Sequence, residues 1–215
     1  MNLSQVAYER FKKRLFAREL PLGAVMSQSE LCELLDVPVT PLRDAIRTLQ
    51  AEGLVEILPR SGIRIPKPDT DLIRHTFQLR RILEREGVRQ FLKVSSDDEI
   101  ARWRLRHAEL QDRIESGSLR QPELGDELTD VDKGFHTAII GSLRNPIIDV
   151  FYRRNEEQIL LIRVDQRYVL SPPLVRQTLE EHFAIVASLE QRDEPAAIAA
   201  MERHMDMAMR RALGD

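Results

Sequence analysis

Two prolines one residue apart, Pro66 and Pro68, divide this chain more sharply than any other feature of its sequence. Proline fixes φ, lacks an N–H and pushes the residue before it out of the helical region, so Pro66-Lys67-Pro68-Asp69 suits neither a helix nor a central strand. A boundary here makes residues 67–70 a linker between a domain of residues 1–66 and a second of residues 71–215. Strand patterning occurs only before the boundary. Every segment after it reads as helix.

In the first part, residues 4–18 place Val6, Ala7, Phe11, Leu15 and Phe16 near one helical face, and Pro21 and Gly23 stop that helix. Ser27-Gln28-Ser29-Glu30 is a capping-box pattern opening a short helix through Leu31, Leu34 and Leu35. After the connection Asp36-Val37-Pro38, Thr40 is expected to cap a third helix, with Pro41 at its first position and Leu42, Ile46 and Leu49 inward. Residues 54–58, 59–62 and 63–65 then read as strand, turn and strand. Helix, helix, turn, helix and hairpin is the layout of a winged helix-turn-helix.

The second part is expected to form helices over about 71–94, 97–117, 128–143, 146–168, 173–191 and 194–213, with 117–128 irregular around Pro122 and Gly125. A chain of 215 residues, 42% hydrophobic and 31% charged, carries a real core and is not disordered. The single Cys32 closes no intrachain disulfide, and the start lacks the basic and apolar regions of a secretory signal, so a reducing cytoplasmic setting is expected. No apolar run reaches the ~18 residues of a membrane helix. The net charge of −3 argues against a non-specific nucleic-acid coat. Residues 1–66 hold nine basic against eight acidic side chains, while the remainder holds 23 against 27.

In a helix-turn-helix the second helix enters the major groove with its N-terminal side chains at base edges. Thr40, Arg43, Asp44 and Arg47 hold those positions here. Arg43 and Arg47 lie opposite the apolar stripe, where a guanidinium can grip guanine O6/N7 or a phosphate, or simply be solvated. In the second part, Asp132 and His136 share a helical face at i, i+4, and His182 and His204 each fall among apolar positions of later helices. Three imidazoles and a carboxylate suit zinc, nickel or a similar ion; equally, they suit core histidines satisfied by backbone or by Asp132. His75 and His107 lack such a setting and read as surface or interface residues.

Residues 4–66 resemble the winged helix-turn-helix of GntR-family transcription regulators. The likeness lies in Tyr8-Glu9-Arg10, Glu19-Leu20-Pro21-Leu22-Gly23, Ser27-Gln28-Ser29-Glu30-Leu31, Thr40-Pro41-Leu42-Arg43-Asp44-Ala45 and Leu49-Gln50-Ala51-Glu52-Gly53-Leu54-Val55. Residues 71–213 resemble the FCD effector domain of the FadR subfamily, through Leu79-Arg80-Arg81-Ile82-Leu83-Glu84, Asp132-Lys133-Gly134-Phe135-His136, Glu181-His182 and Met201-Glu202-Arg203-His204. The resemblance implies a mainly α protein: a winged helix-turn-helix followed by an all-helical antiparallel bundle. It also implies a cytoplasmic, homodimeric repressor that binds operator DNA, responds to a metabolite, and is no enzyme.

By the same resemblance Asp132, His136, His182 and His204 correspond to ligands of a divalent transition metal, zinc first, with nickel or another first-row ion as alternatives. Arg80 then corresponds to a pocket residue able to hold the carboxylate of a small organic-acid effector, and Asn155 to a further pocket residue. The usual Ser-Arg before Thr-Pro is here Pro38-Val39. Contacts to DNA therefore fall to Thr40, Arg43, Arg47 and the wing residues Arg60, Gly62 and Arg64. Two other readings stand beside this one: a metal-dependent hydrolase whose histidines activate water, and a regulator whose metal is purely structural.

Overall fold

The computed structural model describes residues 2–119, 123–165 and 172–214. Among these, the order is α1 (Leu3–Phe16), β1 (Val25–Met26), α2 (Gln28–Leu35), α3 (Val39–Ala51), β2 (Glu56–Leu58), β3 (Gly62–Arg64), α4 (Thr70–Val94), α5 (Asp97–Glu115), α6 (Glu123–Gly141), α7 (Pro146–Asp165), α8 (Pro172–Glu190) and α9 (Glu194–Leu213). The chain forms two compact units. One runs to Ile73 and includes α7 from Arg154 onward; the other holds α4 from Arg74, α5, α6, the first part of α7, α8 and α9. No helix among the described residues is long and apolar enough to cross a membrane.

In the first unit, Asn2 caps α1 by accepting from the Gln5 N–H, and the helix buries Ala7, Phe11 and Leu15. The capping box at α2 is present: the Ser27 side chain accepts from the Glu30 N–H, and the Glu30 carboxylate accepts from the Ser27 N–H. Helix α3 departs from expectation at its start. Pro38 is its N-cap, with no side-chain hydrogen bond, so Thr40 lies inside the helix rather than capping it. Pro41 is tolerated there because the first N–H groups of a helix have no intrahelical acceptor. Leu42, Ala45, Ile46 and Leu49 face inward and join Leu31, Leu35, Leu54, Ile63, Ile65 and, from α7, Leu161 in one apolar core.

The sheet has the order β1-β3-β2, antiparallel throughout, with Met26 opposite Ile63 and Leu58 opposite Gly62. Strand β1 was not expected from the sequence: two residues carry no alternation, and they form a strand only because β3 offers them an edge. Gly62 makes this approach possible. Its φ is +123°, and a Cβ there would sit 2.5 Å from the Met26 carbonyl oxygen.

The segment 65–69 has no regular structure, and Asp69 accepts from the Leu72 N–H at the start of α4. In the second unit Ser96 caps α5 and Asp193 caps α9. Helix α6 begins at Glu123, within the stretch expected to be irregular. Leu124 and Leu128 pack with Leu110, Ile114, Val175 and Leu179, and this burial outweighs the cost of about 1 kcal/mol for Gly125 inside a helix. Residues 120–122, and the last three residues of the expected helix 146–168, lie outside the described residues.

Helices α4 and α6 approach closely at one point: a Cβ on Gly87 would lie 2.9 Å from Ile139 Cγ2 and 3.1 Å from its carbonyl oxygen. One turn back along each helix, that approach sets Glu84 beside His136.

Candidate metal centre and nucleic-acid surface

Each helix around the centre carries an apolar stripe with polar residues substituted into it. On α4 the buried stripe runs Phe77, Arg80, Glu84, Val88, Phe91; on α6 it includes Val131, Asp132, Phe135, His136 and Ile139. On α8 His182 sits between Leu179 and Val186, and on α9 His204 follows Met201. The four candidate ligands lie together. One donor atom from each of Asp132, His136, His182 and His204 lies within 4.8 Å of the others. His182 is 0% exposed, His136 1%, His204 2% and Asp132 4%.

The hydrogen bonds orient all three rings. His136 Nδ1 lies 2.5 Å from Glu84 Oε2, and His204 Nδ1 lies 2.8 Å from Glu181 Oε2. A carboxylate at these distances accepts, so both Nδ1 atoms carry the proton and both Nε2 atoms present lone pairs. His182 Nε2 is 3.4 Å from both Asp132 Oδ1 and His204 Nε2. His136 Nε2 is buried without a hydrogen-bond partner among the described residues, 3.7 Å from Asp132 Oδ1.

Burial dominates the titration of these rings. It pushes His136 down to about 4, with the Arg80 charge adding to the effect and Glu84 opposing it. His182 and His204 are likewise lowered by burial first; His204 adds to the effect on His182, and His136 adds to the effect on His204, while Glu181 opposes it. The rings are therefore neutral near pH 7.

The carboxylates behind the rings stay ionised. Burial alone would raise Glu84, but Arg80 and His136 overcome it and hold it at about 2. Burial likewise works against Glu181, which Arg211 and His204 hold at about 2. Arg80 donates from Nε to Glu84 Oε1 at 2.5 Å, the Tyr152 hydroxyl donates to the same oxygen at 2.8 Å, and Arg211 grips Glu181 with two bonds of 2.6 and 2.9 Å.

His107 corrects the sequence reading. It is not a surface histidine: it is 0% exposed, between α5 and α8, with Nε2 2.9 Å from His182 Nδ1. A single histidine seven residues before Ile114 carried no recognisable pattern. Its helical neighbours at i−3 and i+3, Arg104 and Leu110, suggest no polar site. Glu181 was visible only as the neighbour of His182, and its role depends on the long-range approach of α8 and α9. Asn155 is buried on α7, in the part that packs with the first unit, and its Nδ2 has no hydrogen-bond partner among the described residues.

On the first unit Thr40, Arg43 and Arg47 are exposed along α3. Arg43 Nε donates to Gln28 Oε1 at 3.0 Å, so the first residue of α2, which sequence reasoning passed over, orients that guanidinium. Arg47 pairs loosely with Asp44 at 3.5 Å. Arg60 stands in the turn between β2 and β3 at φ 66°, Gly62 opens β3, and Arg64 is paired with Glu56 across the strands.

A winged helix-turn-helix presents one helix and a wing in the arrangement that can enter a DNA major groove and flank it. Residues 75–207 match the FCD domain, and residues 3–65 match the description "Bacterial regulatory proteins, gntR family". The chain belongs to the gntR family, in its FCD-domain branch. It is 28% identical over 192 residues to the Nta operon transcriptional regulator of Aminobacter aminovorans, covering 87% of this chain and 85% of that one. It is 24% identical over 208 residues to the HTH-type transcriptional repressor RspR of Escherichia coli, covering 94% and 86%. The solved structure of E. coli McbR/YncC superposes with a TM-score of 0.75 at 19% identity, covering 96% of this chain and 95% of that one, a likeness of fold. The protein is a transcription regulator, and the hydrolase reading falls away with that assignment.

Proposed function

We propose that the protein is an operator-binding repressor whose helical unit holds a divalent metal at Asp132, His136, His182 and His204 and senses a small carboxylate-bearing metabolite there. The observation that carries the metal reading is the convergence of one donor atom from each of three histidines and Asp132 in a buried space, with the lone pair of His136 Nε2 unpaired. Neutral lone pairs so arranged repel; a cation satisfies all of them at once. Three nitrogens and one oxygen fit zinc, and nickel as a second choice.

A bound ion would supply positive charge at which an organic anion can dock. Arg80 is the protein's own group for that anion. Its guanidinium is fixed by Glu84, so a carboxylate would find it already oriented. The repressor role draws support from the name of the RspR relative.

Ile147, Val150 and Phe151, each more than half exposed on one face of α7, offer an apolar patch for a second copy. Two copies present two recognition helices to a pseudo-palindrome, an activity exercised in the cytoplasm. The test is titration of the operator, located by footprinting upstream DNA, with and without zinc and a panel of organic acids. Arg43→Ala is expected to weaken operator binding by about 1–3 kcal/mol and relax one base preference. An effector should shift operator affinity by roughly 5–150-fold and be weakened equally by operator. Unchanged operator affinity in Arg43→Ala overturns the assignment of α3 as the reading helix.

A further inference from the structure

The three imidazoles of the centre are not held alike. His136 and His204 each lean on a carboxylate whose charge is balanced by an arginine, Arg80 behind Glu84 and Arg211 behind Glu181. His182 leans on another histidine. His107 Nε2 faces His182 Nδ1 at 2.9 Å, and the opposite nitrogen of His107 faces the Trp103 carbonyl oxygen at 2.7 Å.

A backbone carbonyl only accepts hydrogen bonds. His107 Nδ1 therefore carries the proton, His107 Nε2 is left with a lone pair, and that lone pair requires a proton on His182 Nδ1. The sequence of bonds ends with His182 Nε2 stripped of hydrogen, 3.4 Å from Asp132 Oδ1. Left to itself, His182 would place its proton on Nε2 and donate to that carboxylate. We propose that His107, anchored on the Trp103 carbonyl, is the positioning residue that prevents this and commits His182 to bind metal through Nε2.

His107 does so without adding charge. Glu84 and Glu181 bring two negative charges to the surroundings of the centre, and each has its arginine; a third carboxylate at position 107 would have to be offset as well. A neutral imidazole passes the demand of a carbonyl across the core at no such cost. The position is rigid. His107 packs edge-on to Phe135 with ring centroids 5.1 Å apart and tilts against Phe183 at 6.0 Å, so its ring is held in the line between the Trp103 carbonyl and His182 Nδ1.

The inference rests on the metal reading, and the experiment separates the two. Long-range 1H–15N spectra of histidine-labelled full-length protein report which nitrogen of each ring is protonated, before and after zinc is added. The parent should show Nδ1–H on both His107 and His182 even without zinc. His107→Leu, which removes the acceptor, should move the His182 proton toward Nε2 and lower zinc affinity by about 10–100-fold. His107→Gln, whose side-chain carbonyl can accept in place of Nε2, should restore both.

A parent with Nε2–H on His182 or on His107 overturns the proposal, whatever the variants do. So does a folded His107→Leu protein with the parent's zinc affinity and the parent's proton positions. A parent that takes up no zinc defeats the metal reading, while its metal-free spectrum still decides where His182 carries its proton.

Discussion

The two units differ in what their central clusters bury. The first packs Phe11, Leu15, Leu31, Leu42, Leu49, Ile63 and Ile65 into a core whose members need nothing but one another. The second places Arg80, Glu84, His107, Asp132, His136, His182 and His204 at 5% exposure or less in the path of its apolar stripes. Apolar burial stabilises by removing area from water and is complete once the chain has folded. Buried polar groups stabilise only when every partner is present. The apolar core of the first unit is therefore a finished scaffold for presenting α3 and the wing, although Asn155 Nδ2 and Glu157 Oε2 on the α7 part of that unit lie buried without a hydrogen-bond partner among the described residues, whereas the second unit gathers a set of metal-type donors that a ligand can meet.

The contrast breaks most readily at Glu84, which accepts from Arg80, His136 and Tyr152 together. Glu84→Ala leaves Arg80 buried without its partner and should cost about 3–5 kcal/mol. Trp103, the single tryptophan, lies 5.4 Å from Phe135 in the second unit, so its fluorescence during urea unfolding reads this loss. In the first unit, Leu49→Ala should cost about 2–5 kcal/mol by leaving a cavity, while zinc uptake stays that of the parent. Loss of zinc uptake in this variant would show that the finished scaffold and the ligand-dependent unit are not separable. Gly87→Ala is the smallest of the three. It should force α4 from Ile139, cost about 1–3 kcal/mol and weaken zinc binding by loosening Glu84 from His136, both visible in the same titrations.

The same contrast governs what could be read from sequence. Caps, periodicity and turn residues are local, so the winged unit and the helices after Pro68 were legible almost throughout. The exceptions have different causes: Pro38 displaced Thr40 as the cap, α6 starts at Glu123 inside the stretch expected to be irregular, and β1 exists only through its long-range pairing with β3. The centre was legible where the resemblance named its positions. Its supports were not, because Glu84 meets His136 across 52 residues and His107 meets His182 across 75. No period within a helix records such a meeting. Arg80 with Glu84, at i, i+4, is a support whose two members lie one helical turn apart.

Native mass spectrometry of the zinc-loaded full-length protein, beside a His136→Ala, His182→Ala double variant, tests the central claim most directly. The parent should carry one divalent ion per chain, and the double variant, keeping its helical content, should carry none. Full occupancy in the double variant would contradict a metal centre built on these residues.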